Sequence, residues 1–196
     1  MDQHPYATPV RLVGEIVTVE PLATEHHDDL VDAVRDGELW RLWYTRIPAP
    51  EMMADEIAAR LAKQDAGQIA AFTLRAAATG EALGMTTYLH LDPANRRLEI
   101  GSTWLRRSAQ GTGANAEAKL LLLRHAFEAL GCEGVELRTH HRNAQSRAAI
   151  ERLGAHLDGV LRRHMLLPDG TWRDTCVYSV LAAEWPSVRA GLEARL

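Results

Sequence analysis

Hydrophobic and polar residues alternate along several short segments of this 196-residue chain, as they do in strands that bury one face. Turn signals separate neighbouring segments, among them Thr79-Gly80 and Asp92-Pro93. The predicted strands cover residues 10–19, with an interruption at Gly14, and then residues 69–75, 83–91 and 96–105. Because the connections between the last three are short, we expect an antiparallel meander in the centre of the chain.

A helical period replaces this alternation in the second half of the chain. One apolar stripe repeats every three or four positions and ends at Gly131; its members are Ala116, Leu120, Leu123, Phe127 and Leu130. Shorter helices are predicted after Thr24, over residues 51–64, after Asn143 and from residue 184. The long helix should therefore connect the meander to the strands that follow it.

Alternation returns over residues 134–140 and again in two last strands, 157–167 and 172–180, joined by the turn Pro168-Asp169-Gly170. We find no internal repeat and no linker. The pattern predicts one α+β domain over residues 10–196, with residues 1–9 as a flexible tail. One strand–helix–strand crossover should run through the long helix, and the rest of the sheet should be mostly antiparallel.

Composition narrows the class of protein. Hydrophobic residues make up 46% and charged residues 24%, which are ordinary globular values, and the net charge of −4 gives no basic footprint for nucleic acid. Two cysteines and the absence of a ligand spacing argue against a metal site. Since we see no signal peptide and no apolar run of membrane-spanning length, we expect a soluble cytoplasmic protein without a membrane or nucleic-acid partner.

The most unusual stretch is RSAQGTGANAEAK, residues 107–119, where two glycines lie between a strand and the long helix. Such a turn exposes backbone N–H groups at a helix N-terminus and suits an anion, although a glycine turn without a ligand has the same appearance. The loose dinucleotide pattern Gly111-x-Gly113-x-x-Ala116 is a weak match, because the preceding strand is polar. A nucleoside-triphosphate loop is excluded, since no Gly-Lys-Ser/Thr follows.

Two motifs in order resemble the GNAT superfamily of acyl-coenzyme A N-acyltransferases, and within it the branch of the ribosomal-protein alanine acetyltransferases. They are QGTGAN at 110–115, and NAQSRAAIERLGA at 143–155, and the likeness runs from about residue 10 to residue 186. The resemblance implies acetyl-CoA as cosubstrate and a GNAT-like sheet with its crossover at the pyrophosphate loop. It assigns the pyrophosphate to the main-chain amides of Gln110, Gly111, Thr112, Gly113, Ala114 and Asn115, where Asn115 replaces the family's glycine or alanine.

The same resemblance implies direct transfer of an acetyl group to a primary amine. Glu99, which strand alternation places on one face with Gly101 and Thr103, is the candidate base; its alternative role is a half-exposed strand glutamate paired with Arg96 or Arg97. N–H groups near Trp104 and Leu105 could bind the oxyanion. Many members have a tyrosine acid seven residues after the asparagine, but Ile150 occupies that place here, so Ser146 is the candidate, or else an ordinary first-turn residue. Asn143, Ser146 and Arg147 should contact the cosubstrate.

An aromatic segment, LWRLWYTRIPAP at 39–50, should lie over the acceptor side of this fold. We expect Trp40, Trp43 and Tyr44 to wall the amine site, with Tyr88 and His90 as its polar floor; alternatively, the tryptophans pack the first helix against the sheet. The acceptor would be a small amine or a protein N-terminus, and a homodimer is common among members. His140 and His141 are interpreted as a solvated strand end. A non-catalytic sensor that binds acyl-CoA is the alternative function.

Overall fold

Eight strands form one sheet in the computed structural model, which describes residues 4–167 and 169–196. The strands are β1 (Leu12–Val13), β2 (Val17–Pro21), β3 (Ala70–Ala76), β4 (Ala82–Asp92), β5 (Arg97–Leu105), β6 (Gly134–His140), β7 (His156–Leu166) and β8 (Trp172–Leu181). Their order across the sheet is β1-β2-β3-β4-β5-β6-β8-β7. Among the strands of the described residues, only β5 and β6 pair in parallel, so the predicted mixed, mostly antiparallel α+β fold is confirmed.

Helices cover both faces of the sheet. They are α1 (His27–Arg35), α2 (Met53–Asp65), α3 (Ala114–Arg124), α4 (Ala144–Arg152) and α5 (Trp185–Glu193), and a π-helical turn, His125–Ala129, extends α3. One apolar cluster joins α3, α4 and α5 to residues such as Phe72 and Tyr88. The other joins α1 and α2 to residues such as Met85 and Trp104. We call these the α3 face and the α1 face of the sheet.

The parallel pair opens after three residues. Arg97, Leu98 and Glu99 pair with Gly134, Val135 and Glu136, and beyond them the two strands are not paired. The space between residues 100–105 of β5 and residues 137–140 of β6 is called the splayed gap below. Because α3 follows β5 and α4 follows β6, the N-termini of both helices lie at the carboxyl end of this gap, which is where parallel strands position ligands.

Two bulges change which side chains share a face. Ser102 has φ 47° and the pairing of β4 with β5 shifts between Met85 and Thr87, so the residues after Ser102 turn over. Thr103 therefore faces α3, where it contacts Lys119, and Trp104 lies on the α1 face. The expectation that Glu99 and Thr103 share a face is wrong for this reason.

The N-terminal region also needs correction. The predicted strand over residues 10–19 is instead two short antiparallel strands, β1 and β2. The turn between them is held by the buried carboxylate of Glu117, which accepts the N–H groups of Glu15, Ile16 and Val17 at 2.9, 2.7 and 2.6 Å. Within the predicted flexible tail, Tyr6 is buried in the apolar cluster of the α3 face, while residues 1–3 lie outside the described part of the chain.

Candidate active site

The glycine loop, residues 107–113, contains two glycines with left-handed backbone. Gly111 has φ 80° and Gly113, the N-cap of α3, has φ 90°. The loop is closed by its own polar groups: Thr112 Oγ1 donates to the Ala109 carbonyl at 2.8 Å, and the Gln110 N–H donates to the Arg107 carbonyl at 3.2 Å. Gln110 also donates from its side chain to the Leu105 carbonyl at 2.9 Å. The main-chain N–H of Gln110 is thus hydrogen-bonded within the loop and is not available to a phosphate. This corrects the prediction that Gln110 is one of the pyrophosphate-binding amides.

Several neighbouring amides remain. Within the described residues, the N–H groups of Gly111, Thr112, Gly113, Asn115 and Ala116 have no backbone or side-chain acceptor, whereas Ala114 lies 3.5 Å from Thr112 Oγ1. A Cβ added at Gly111 would meet no atom within 4 Å, so the loop is open on that side. Free amides, an open cradle and the positive end of α3 together fit a phosphate group.

The N-terminus of α4 forms the other side of the gap. Asn143 caps it, since Asn143 Oδ1 accepts the Ser146 N–H at 3.0 Å, and the Asn143 N–H donates to the His140 carbonyl at 2.8 Å. Ser146 is half-buried in the first turn. Arg147 is turned toward β8, where its Nε donates to the Tyr178 hydroxyl at 3.1 Å. The structure therefore brings Asn143 and Ser146 to the end of the gap and fixes Arg147 against the sheet.

The end of β5 supplies one backbone donor to the gap. The Arg106 N–H donates to the Leu83 carbonyl of β4 at 2.7 Å. Because N–H groups alternate in direction along a strand, the Leu105 N–H points away from β4 and toward the gap, and that of Trp104 points toward β4. Of the two predicted oxyanion donors, only the Leu105 N–H therefore has the right direction. The Trp104 side chain is buried on the α1 face.

Glu99 is buried, with 5% of its surface exposed, on the α1 face at the root of the gap. A side chain at Gly101 would overlap its carboxylate, so the glycine makes room for the carboxyl group. Oε2 lies 2.7 Å from His90 Nδ1 and 3.3 Å from Arg138 Nε. Arg96 and Arg97 pair with Glu133 and Glu136 instead, so the alternative interpretation of Glu99 as their half-exposed partner is wrong.

Tyr88 and His90, the two residues predicted to form the polar floor of the amine site, lie on opposite faces of the sheet. His90 has φ 47° at a second register shift in β4, and this bulge brings its ring to Glu99. Tyr88 is 1% exposed in the α3 cluster, and its hydroxyl donates to the Leu122 carbonyl at 2.7 Å. Burial raises the pKa of this hydroxyl well above its ordinary value. We therefore keep His90 near the site and place Tyr88 in the core.

The tryptophans of the aromatic segment, residues 39–50, also lie in different environments. Trp40 packs against the cluster on the α1 face, in agreement with the packing alternative. Trp43 is 54% exposed and makes edge contacts with Tyr44 and His140, at ring-centroid distances of 5.5 and 5.4 Å. Trp43 thus contacts the end of β6 through His140, and Tyr44 lies against Trp43.

His140 and Arg138 are site residues that the sequence interpretation missed. His140 is 3% exposed, so the expected solvated strand end is wrong at this residue. Burial, followed by the neighbouring positive groups, lowers its pKa, and its Nδ1 accepts the Arg142 N–H at 3.0 Å. The neutral ring therefore carries its proton on Nε2. The alternation of β6, together with its parallel pairing to β5, was the available signal, because it puts Glu136, Arg138 and His140 on the face of Glu99.

Across residues 4–167 and 169–196, no group of three or more histidine, cysteine, aspartate or glutamate side chains could hold a metal ion. In the same part of the chain, no helix combines the length and apolar character needed to cross a membrane.

The comparisons with known proteins agree on one family. A family model described as the acetyltransferase (GNAT) domain matches residues 17–156. Over 106 residues the chain is 34% identical to the Bacillus subtilis (strain 168) protein named "Putative ribosomal N-acetyltransferase YdaF"; the match covers 54% of this chain and 57% of that relative's length.

Two solved structures are similar over almost the whole chain. One, from T. thermophilus, carries the description "putative acetyltransferase"; it is 39% identical, with a TM-score of 0.84, and the match covers 96% of this chain and 98% of that one. The other is a GCN5-related N-acetyltransferase from Brucella melitensis, 30% identical, with a TM-score of 0.84 and coverage of 97% and 86%. With the family model spanning most of its length, the chain belongs to the GNAT acetyltransferase family.

Proposed function

We propose that this acetyltransferase uses acetyl-CoA to acetylate a primary amine by direct transfer in a ternary complex. The observation that carries the proposal is the splayed gap, which has free loop amides at its carboxyl end and a buried carboxylate, Glu99, on the α1 face at its root. The two sets of groups suit two substrates that approach from different sides. Direct transfer needs both substrates to be bound at once.

The cosubstrate would lie in the gap, with its pyrophosphate on the amides of Gly111, Thr112, Gly113 and Asn115. When bound, it supplies an activated acetyl thioester. Asn143 and Ser146, at the N-terminus of α4, would contact the pantetheine arm and the sulfur. The Ser146 hydroxyl would hydrogen-bond the departing thiolate or relay a proton from solvent to it. The Leu105 N–H would stabilise negative charge on the acyl oxygen.

Glu99 would take the proton of the amine. A primary amine with a pKa of ~10 is mostly protonated at neutral pH, so a base that accepts its proton in the ternary complex lets the nitrogen lone pair attack the acyl carbon. His90 is hydrogen-bonded to Glu99, and its side chain is 62% exposed. It offers a route by which the proton leaves the buried carboxylate for solvent.

The cysteines favour direct transfer over an acyl-enzyme. Cys132 and Cys176 are 2% and 1% exposed, and burial raises the pKa of the Cys132 thiol. A buried thiol that substrates cannot reach is a poor nucleophile. Neither cysteine is therefore suited to carry the acetyl group between the two substrates.

We propose a protein N-terminus as the acceptor in preference to a small amine. The name of the Bacillus subtilis relative points to a ribosomal protein. The exposed ring of Trp43 beside Tyr44 and His140 is an open surface on which the first residues of a polypeptide could lie. Since acetyl-CoA and ribosomal proteins are cytoplasmic, we place the reaction in the cytoplasm.

The release of free thiol from acetyl-CoA tests this function. The protein would be incubated with peptides that carry ribosomal-protein N-termini, with the same peptides blocked at the amine, and with polyamines and free amino acids. We expect thiol release with a subset of the unblocked peptides and a mass increase of one acetyl group on the α-amine. Binding of acetyl-CoA without release for any amine would favour the alternative, a sensor that uses the same fold.

A further inference from the structure

Lys119 is a buried lysine in the second turn of α3. The residue is 5% exposed, and Nζ donates to Thr103 Oγ1 at 2.8 Å. No carboxylate lies within 4.0 Å of its ammonium group in the described part of the chain. Only two of the 22 lysine and arginine residues are lysines, Lys63 and Lys119, so the chain uses lysine at one exposed and one buried place.

A buried ammonium group without an anion is costly, because desolvation disfavours the charged form. Burial accordingly lowers the pKa of Lys119 to about 7. Methionine, of similar length, would fill the same space without this cost, and an arginine could not lose its proton there. The burial of a lysine at this free-energy cost, close to the splayed gap, indicates that its ammonium group has a functional role.

The hydrogen bonds of Lys119 lead to the acyl end of β5. Thr103 Oγ1, the partner of the ammonium group, lies 2.8 Å from Thr86 Oγ1 of β4. Thr103 follows the bulge at Ser102 and precedes Leu105 by two residues. The three side chains therefore join α3, β5 and β4 at the point where the bulge sets the direction of the Leu105 N–H.

We propose that Lys119, acting through the Thr103 hydroxyl, is a positioning residue for acyl transfer: it holds the bulged end of β5 so that the Leu105 N–H meets the acyl oxygen. Its positive charge lies behind the same strand and opposes the negative charge that develops on that oxygen. This inference rests on the proposed function. It concerns a residue outside both motifs that carry the family resemblance.

The charged form should be the active one, and its neighbours leave it free to titrate. The titratable groups on the packed elements have other partners: Glu117 holds the β1–β2 turn, Tyr88 and His125 face each other, Arg124 pairs with Glu193 of α5, and Glu99 with His90 lies on the opposite face of the sheet. Lys119 therefore loses its proton as the pH rises through about 7, and the positioning effect weakens with it.

Steady-state kinetics on the full chain test the role. Lys119→Met should lower kcat roughly ten- to hundredfold, as misplacement of a reacting group does, with little change in the KM for acetyl-CoA. The loss should be larger at pH 6 than at pH 9. Thr103→Val should act in the same direction, and the double variant should be no worse than Lys119→Met alone, since one residue acts through the other. Lys63→Met is the matched control and should behave as the wild type.

A second measurement does not depend on turnover. In protein labelled at the lysine Cε carbons, NMR shows only two lysine side chains, and Lys63→Met assigns them. The Lys119 signal should titrate near neutral pH, and its position should differ between the coenzyme A and acetyl-CoA complexes. A kcat ratio of wild type to Lys119→Met that is one, or that is constant from pH 6 to pH 9, overturns the inference while the proposed function stands. A wild type that releases no thiol with any amine rejects both.

Discussion

Glu99 occupies an unusual position for a strand residue, since its carboxylate is buried yet connected to solvent through His90. The side chains of His90 and Arg138 contact the carboxylate, so it is held in place and not free to rotate. The room it occupies exists because residue 101 is glycine. Such a fixed carboxylate is suited to receive a proton from an amine bound at the proposed acceptor surface.

Replacing Glu99 with glutamine should lower kcat by about 10²- to 10⁴-fold at neutral pH, the range of a general base. The loss should shrink at high pH, where the amine is deprotonated without help. Glu136→Gln is the matched control, because Glu136 pairs with the same Arg138 on the neighbouring strand. If the ratio of the kcat values of Glu99→Gln and Glu136→Gln does not change with pH, Glu99 does not take part in the proton transfer.

The glycine loop gives a second test at the scale of single residues. Gly111→Ala adds a methyl group on the open side of the loop, and the left-handed conformation that residue 111 already has costs an L-residue about 1–2 kcal/mol. Calorimetry should show weaker binding of coenzyme A. Gly67→Ala is the control, since Gly67 has φ 71° and no neighbour within 4 Å but follows α2. Equal affinity in both variants would contradict the pyrophosphate assignment.

At the level of elements, the sequence predicts most strands and helices well and their faces less well. Simple alternation assigned Thr103 to the face of Glu99 and His90 to the face of Tyr88, and both assignments are wrong. Each of the strands β5 and β4 has a bulge at a non-glycine residue with positive φ, Ser102 and His90 respectively. The residue type does not predict such a conformation. Glu117 and Lys119 escaped notice because α3 is buried on almost every side, so no polar face distinguishes them.

The aromatic segment between α1 and α2 carries its own prediction. Trp43→Ala should raise the acceptor KM and leave the melting temperature nearly unchanged, because the ring is exposed, and a cation over an indole gains ~0.5 to 2 kcal/mol. Trp40→Ala should do the opposite, since Trp40 packs against the core. If Trp43→Ala lowers the melting temperature and leaves acceptor KM intact, the ring belongs to the core.

On the scale of the whole molecule, the family, the α+β class and the enzyme class were predictable from the order of two motifs and the elements between them. The site was predictable only in part, because the packing of α3 and the two bulges depends on contacts between distant residues. The last hairpin is a further feature of the whole molecule. It exposes apolar side chains along the edge strand β7 and on β8: Leu157, Val160, Leu161, Met165, Leu166 and Trp172.

An exposed apolar edge strand favours association with another chain. We therefore keep the homodimer as a prediction and expect light scattering to give twice the mass of one chain. Replacing Leu161, which is 42% exposed, with lysine should shift the mass toward that of the monomer. Leu181→Lys, 42% exposed at the end of β8, is the control. A monomer in the wild type at micromolar concentration would end this prediction.

The pH dependence of folding depends on the buried lysine. The pKa of an unfolded lysine is about 10.4, and burial lowers the pKa of Lys119 in the folded chain to about 7. Between these values the unfolded chain binds more protons, so this group makes the free energy of unfolding rise with pH, and the gain is lost as the pH falls toward 7. The raised pKa values of Tyr88 and Cys132 act in the opposite sense above their ordinary values. Those two groups remain in Lys119→Met, so the difference in unfolding free energy between wild type and variant reports the contribution of the lysine alone.

In urea unfolding at pH 7, 8 and 9 we expect Lys119→Met to be the more stable protein at pH 7, with the difference shrinking toward pH 9. Two parallel curves would show that Lys119 keeps an ordinary pKa in the fold.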